Sequence, residues 1–262
     1  DIGPGCPVGV IAGTNAKFPT RYRDAIFLCD WTFATMYAMH LKPDGSSYKG
    51  KVDTFVTNTN GSLALTDVDI GPDGHMYFCV GGRKGQSYLY RVRYVGDEST
   101  ELSPLDTSSE HYQARKTRHK IEAFHGKPNP KAIETVWSYL SSEDYHLRYA
   151  ARIAIEWQNP KTWADKAYGE TNDLAAIHAL LGLARSDYAG SMQPSIERLL
   201  KVDFSKLDKM GKLALLRTYS VIMSRAGKPA DSQIDAIGKQ LDPHYPASDD
   251  NLNEELCRVL CY

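Results

Sequence analysis

One internal echo constrains this chain more than any other feature. Phe27-Leu28-Cys29 lies fifty positions before Tyr77-Phe78-Cys79, and in each copy a polar loop leads to a further strand-like run, MYAMHL in the first and YLYRVRY in the second. A period near fifty residues with about four strands per copy is the spacing of propeller blades. The second copy is the clearer one. Val68 and Ile70, then Met76, Phe78 and Val80, alternate as strand residues do, and Pro72-Asp73-Gly74 between them carries turn chemistry. Gly81-Gly82 and Lys84-Gly85 interrupt the chain before a third strand, Tyr88 to Val95, whose odd and even residues fall on opposite faces.

The first copy reads as four strands, Gly9 to Gly13, Ala25 to Asp30, Thr35 to Lys42 and Lys51 to Thr57, separated by Gly13-Thr-Asn, Phe18-Pro19 and Pro43-Asp44-Gly45. The second copy has no outer strand before the composition changes near Gly96. A closed propeller needs at least four blades, and an open ring leaves strand edges that template aggregation. The expectation is therefore the C-terminal piece of a longer propeller protein. The competing expectation is a small β-meander resting on the rest of the chain.

Asp97 to Ser109, DESTELSPLDTSS, is polar and reads as a linker. Beyond it the hydrophobic period changes from two to 3.6. Helices are expected over Glu110 to Phe124, Pro130 to Leu140, a segment capped by Ser142, a segment starting at Thr171-Asn172-Asp173, Met192 to Val202, Asp208 to Ala226, Ser232 to Leu241 and Asp249 to Leu260. In the third of these, Leu147, Ala150, Ala151, Ala154 and Trp157 form one apolar stripe. Capped starts recur every thirty to forty residues, and HLRYAARIAIE resembles the second helix of a HEAT repeat, with Arg148 and small alanines allowing close stacking. The fold class is thus multidomain, β then α: residues 1–96 as two blades of a partial β-propeller, 97–109 as linker, and 110–262 as a HEAT-like α-solenoid. A compact helical bundle is the alternative for the last part. The final helix, running out on Cys257 to Tyr262 with no polar cap, again suggests a fragment.

Composition narrows the function classes. A formal net charge of -1 over 262 residues gives no global field for nucleic acid or an anionic membrane. No run of about 18 apolar residues is present, so no membrane span is expected, and DIGPGCPVGV does not read as a signal peptide. The five cysteines include no C-x-x-C and no C-x-x-C-H, leaving a paired-thiolate zinc site and a covalent haem site without support within the chain. Cys29 and Cys79 read as small buried hydrophobes, and Cys257 and Cys261, one helical turn apart, are badly placed for a disulfide.

Candidate site residues cluster at the strand ends. Asp67 opens what would be an innermost strand, where its carboxylate would face a propeller channel. Asp67, Asp69, Asp73 and Gly74 do not have the spacing of a calcium loop, and Asp73 reads as a turn residue. Asp30 and Trp31 end a strand beside the loop Thr32 to Thr35; a carboxylate next to an aromatic can hold a sugar or a flat cofactor, and the plainer reading is a strand cap. Arg83, with Lys84, could bring positive charge to the same rim or simply be solvated. The substrate-binding candidates are therefore Asp30, Trp31, Asp67 and Arg83. His40, His75, His111, His119 and His125 make no metal triad by spacing, and the basic helix QARKTRHK reads as a solvated face or a dock for an acidic partner. Walker, G-x-S-x-G, G-x-G-x-x-G and H-E-x-x-H motifs are absent from the sequence.

The stretches AKFPTRYRDAIFLCDWTFATMYAMHLKPDGSSYKG, LTDVDIGPDGHMYFCVGGRKGQSYLYRVRYVG, KIEAFHGKPNPKAIETVWSYL and HLRYAARIAIEWQ resemble the large planctomycete-type proteins known as membrane-bound dehydrogenases or haem-binding proteins. In that family a propeller similar to the soluble sugar dehydrogenases precedes HEAT-like helices and a haem-binding C-x-x-C-H domain. The resemblance implies an exported, periplasmic protein engaged in electron transfer or carbohydrate oxidation. It implies haem c, or pyrroloquinoline quinone with calcium, in a full-length protein, with no cofactor held by this chain alone. It also implies missing blades and a haem domain in the same polypeptide. The alternative is a non-catalytic propeller and solenoid that bind a protein or a glycan.

Overall fold

The computed structural model describes residues 5–59, 63–82, 84–102, 104–186 and 188–262. They divide into two compact units, Asp1–Gln113 and Ala114–Tyr262. The first holds two antiparallel sheets and the second is helical.

The first sheet is a four-stranded meander of β1 (Pro7–Ala12), β2 (Ala25–Asp30), β3 (Thr35–Asp44) and β4 (Ser47–Thr57), with the one-turn helix α1 (Thr20–Arg23) between β1 and β2. The expected boundaries of β2 are reproduced, because Asp24 and Trp31 bracket a run of apolar residues. The β3–β4 hairpin turns at Gly45, whose φ of 54° needs no Cβ to be accommodated, so the Pro43-Asp44-Gly45 signal marks a real reversal. The second sheet is β5 (Leu65–Ile70), β6 (Met76–Val80) and β7 (Tyr88–Val92), the last shorter than its apolar pattern suggested.

The two sheets share one core. Phe27, Cys29, Met36 and Ala38 from the first meet Leu65, Val68, Met76, Phe78 and Val80 from the second. The strands β1 and β5 lie backbone against backbone at Gly9, where a Cβ would stand 3.0 Å from the Cα of Asp67 and 3.1 Å from the amide nitrogen of Val68. One expectation is corrected here. Cys29 is buried and Cys79 is exposed. Cys29 shares a strand face with Phe27, both turned into the common core, whereas Cys79 lies between the inward-facing Phe78 and Val80 and so points to the other side of its sheet.

The helix α2 (Glu110–Glu122) straddles the boundary between the units. The helical unit continues with α3 (Ala132–Val136), α4 (Tyr145–Glu156), α5 (Ala164–Gly169), α6 (Asp173–Arg185), α7 (Met192–Leu199), α8 (Lys209–Ala226), α9 (Asp231–Leu241) and α10 (Asp250–Leu260). Side-chain caps fix several starts. Asn172 accepts from the Ala175 amide, Asp208 from Gly211 and Asp249 from Leu252, so α6, α8 and α10 begin where the sequence placed them. For α4 the cap is Asp144, which accepts from the amides of His146 and Leu147; Ser142 instead accepts from Asp144 itself. Trp157 is also corrected: it stands just past the end of α4 and is half exposed, while Leu147, Ala150, Ala151 and Ala154 do form the buried stripe.

The core of this unit runs from Ile121 to Val259, with Trp163, Ile177, Leu180, Leu183, Leu216 and Tyr219 among its fully buried side chains. Burial of each large apolar side chain contributes about 2 kcal/mol. Two glutamine amides join segments distant in sequence. Gln158 accepts from the Asn129 amide at 2.7 Å and donates to the Ala154 carbonyl at 3.0 Å. Gln240 donates to the carbonyls of Leu199 (3.1 Å) and Val202 (2.9 Å), and its oxygen accepts from the Tyr219 hydroxyl at 2.8 Å.

Candidate functional site

Asp30 lies at the end of β2 and is 3% exposed. One of its oxygens, Oδ1, accepts from the backbone amides of Thr32 (2.8 Å), Phe33 (3.1 Å) and Cys6 (3.3 Å). The carboxylate thus holds the β2–β3 turn, in which Ala34 takes a φ of 53°. Replacing Asp30 by alanine is expected to destabilise the β unit by about 2 kcal/mol, since three backbone amides lose their shared side-chain acceptor at the turn. Asp30→Asn keeps an acceptor oxygen and should lose clearly less; equal losses in urea denaturation would rule out this account.

Trp31 projects from the same turn and donates its indole N–H to the Gly81 carbonyl at 3.3 Å, tying the first sheet to the loop after β6. Arg83, two residues further on, lies outside the described residues. Asp67 is exposed at the start of β5, its Oδ1 accepting from the Val68 amide at 2.9 Å. It abuts Gly9, two residues along β1 from Pro7, the strand partner of Asp30. Burial, reinforced by the Asp67 carboxylate, pushes the Cys29 thiol up to about 11. Calcium takes six to eight oxygens. With Asp30 Oδ1 committed to its turn and Asp67 the second candidate carboxylate, these two residues do not fit a calcium–quinone centre by themselves. Among the described residues no three His, Cys, Asp or Glu side chains converge in a metal-binding arrangement. His75 and Tyr77 both contact Asp73 Oδ2, at 2.8 and 2.7 Å, and the tyrosine hydroxyl chiefly holds that carboxyl down at about 2.

A cavity of mixed chemistry lies in the helical unit, between α4, α6 and α8. Each helix contributes one face: Tyr145, Arg148, Tyr149 and Arg152 from α4, His178, Leu181 and Arg185 from α6, and Met210, Leu213, Ala214, Arg217 and Val221 from α8. The spacings of three, four and seven residues put each set on a single side of its helix. The groove encloses about 400 Å³. Arg148 and Arg152 are each 7% exposed. The Arg152 guanidinium sits 4.9 Å from the centre of the Tyr149 ring, which stacks at 6.2 Å on Tyr145.

Charge in the groove is unbalanced. Glu156 is paired with both Arg152 and Arg185, the latter at 3.0 Å. Arg148 donates to the carbonyls of Ser142 and Glu143, and its Nε has no hydrogen-bond partner. Arg217 is exposed and makes no ion pair with a described residue. His178 is deeply set, with Nδ1 unpartnered; burial first, then the charges of Arg148 and Arg152, pushes its imidazole down to about 4. It is therefore neutral at pH 7.

Sequence reasoning missed this groove. It had Arg148 as a residue that lets helices stack, whereas its guanidinium reaches back to the carbonyls of Ser142 and Glu143, just before its own helix. The available signal was Tyr145-x-x-Arg148-Tyr149-x-x-Arg152, a repeated aromatic–arginine step on the side of α4 opposite the alanines. No family model, curated protein or solved structure matches the chain.

Proposed function

We propose that this chain is a non-catalytic binding scaffold, in which the β unit is two neighbouring propeller blades, the helical unit is a HEAT-like stack, and the groove across α4, α6 and α8 is the ligand surface. The observation that carries the reading is that groove: four arginines against one glutamate, two of them buried, on three alternate helices that each turn one face to it. Charge of one sign held in a partly desolvated place is costly unless an opposite charge arrives. The blade reading is supported by the cysteine pair. Equivalent residues in stacked blades point the same way, and Cys29 turned into the shared core with Cys79 on the far side of its sheet fits two slices stacked in the same sense.

The test is binding followed on His178. Titration with inorganic phosphate, a sulfated glycan and a glutamate-rich peptide should, for at least one of them, give saturable shifts of the His178 ring protons by NMR. Silence from all three would sink the scaffold reading.

The second reading is the exported, haem-linked dehydrogenase that the resemblance implies, favoured by the order of sheets before helices. Its test is oxidation of a sugar panel by the full-length protein with an artificial electron acceptor, with and without calcium and pyrroloquinoline quinone. Turnover above blank would replace the scaffold reading with this one.

A further inference from the structure

We infer that the groove takes an acidic peptide segment of a partner protein, with carboxylates on the guanidinium groups and an apolar side chain on the floor between them. The inference rests on the scaffold reading and names its partner class. Three observations favour a peptide over other anions. The first is the lining: Leu181, Leu213, Ala214 and Val221 form an apolar floor, with the half-exposed Tyr145, Tyr149 and Met210 at its margin. A phosphate chain has nothing to bury there, whereas alternating carboxylate and apolar side chains match it.

The second is the placement of charge. Arg148 and Arg152 are both sunk, and Glu156, paired with Arg152 and Arg185, would repel a densely charged polyanion but leaves room for single carboxylates, the planar partners guanidinium groups bind best. Arg148 Nε and His178 Nδ1 are buried without a hydrogen-bond partner beneath these lining groups, which leaves the charge of the groove uncompensated from inside. The third is reach. Helices pack 8–10 Å apart, so three in a row span roughly 20 Å, the length of about six extended residues. Arg217 marks one limit: it also borders a shallower surface where Glu254 and Glu255 are both held by Arg258. That acidic neighbourhood would stop an acidic peptide from running on over α10.

The experiment is fluorescence anisotropy with a labelled hexapeptide alternating aspartate or glutamate with leucine, using the whole chain. A hexapeptide with lysine in place of the acids, an oligothymidylate and a sulfated glycan serve as comparison ligands. The acidic peptide is expected to bind saturably, to weaken with added salt, and to shift His178. Arg217→Glu, an exposed substitution that leaves the core untouched, should weaken it about tenfold. Tyr149→Ala gives a second, uncharged probe and should also weaken it. Peptide binding unchanged by Arg217→Glu would overturn the inference, as would tighter binding of the oligothymidylate or the glycan at His178. Those last two outcomes would leave the scaffold reading standing, whereas silence from every anion would remove both.

Discussion

Replacing Gly13 by alanine is expected to destabilise the β unit by at least about 3 kcal/mol, beyond the usual range for one added methyl in a packed site. Gly13 is buried just after β1, and a Cβ there would lie 2.1 Å from the Tyr22 carbonyl oxygen, 3.0 Å from the Phe27 ring and 3.2 Å from the Arg23 carbonyl oxygen. Two of those three neighbours are backbone, so no rotamer change relieves the overlap. Nor can α1 easily withdraw. Tyr22 and Phe27 pack with Phe55, at ring separations of 5.2 and 4.7 Å, and Arg23 donates to the Thr14 carbonyl at 2.6 Å. Hydrogen exchange resolved by peptide should show β1 and β2 losing protection in Gly13→Ala while the helical unit keeps its own. A variant with wild-type protection would mean that α1 is not held as described.

The second large effect is a pH dependence of the helical unit. His178 in the folded chain is pushed down to about 4, against 6.5 for the exposed residue. Between those values the unfolded chain binds a proton that the folded one does not, so stability is complete above pH 6.5 and falls as the pH drops towards 4. The loss accumulates to about 3 kcal/mol. The charges that act on the imidazole are cationic, Arg148 and Arg152 on α4, while Arg185 and Arg217 line the same groove and Glu156 is already shared by two arginines. Urea midpoints measured from pH 7 to pH 4 should therefore fall more steeply in the wild type than in His178→Gln, which cannot take up the proton. Parallel slopes for the two proteins would assign the acid sensitivity to other groups.

Much of the fold is legible because its signals are local. Six apolar-led residues between Asp24 and Trp31 can only be a short strand, and Asn172, Asp208 and Asp249 each announce a helix through a bond to an amide three residues on. The readings that slipped depend on neighbours distant in sequence. The fifty-residue echo matches Cys29 to Cys79 and says nothing of which side of each sheet a second sheet will cover. The short α5 has too few turns to display a period, and Ser142 and Asp144 are equally good caps until the chain around them is fixed.

The groove was out of reach for a related reason. Asp30 and Trp31 could be picked out because turn chemistry surrounds them in the sequence. Arg148, His178 and Arg217 come from three helices, and each alone looks like an ordinary polar residue opposite an apolar stripe. Only when α4, α6 and α8 lie together do their charges add up to something a solvated face would not need.

Gln158 and Gln240 have a consequence for how the helical unit can be cut and rejoined. Each amide closes at least one hydrogen bond to a segment some thirty to forty residues away in the chain, Gln158 through its oxygen and Gln240 through its N–H groups, and those bonds cannot be made within its own hairpin. A recombinant boundary drawn through the loops at 201–203 would separate Gln240 from at least one of its carbonyls, leaving polar atoms stranded in the joint. The natural unit of exchange is therefore not the single helix pair but the pair together with the carbonyls its glutamine reaches, and grafts that respect that pairing should be the ones that remain soluble.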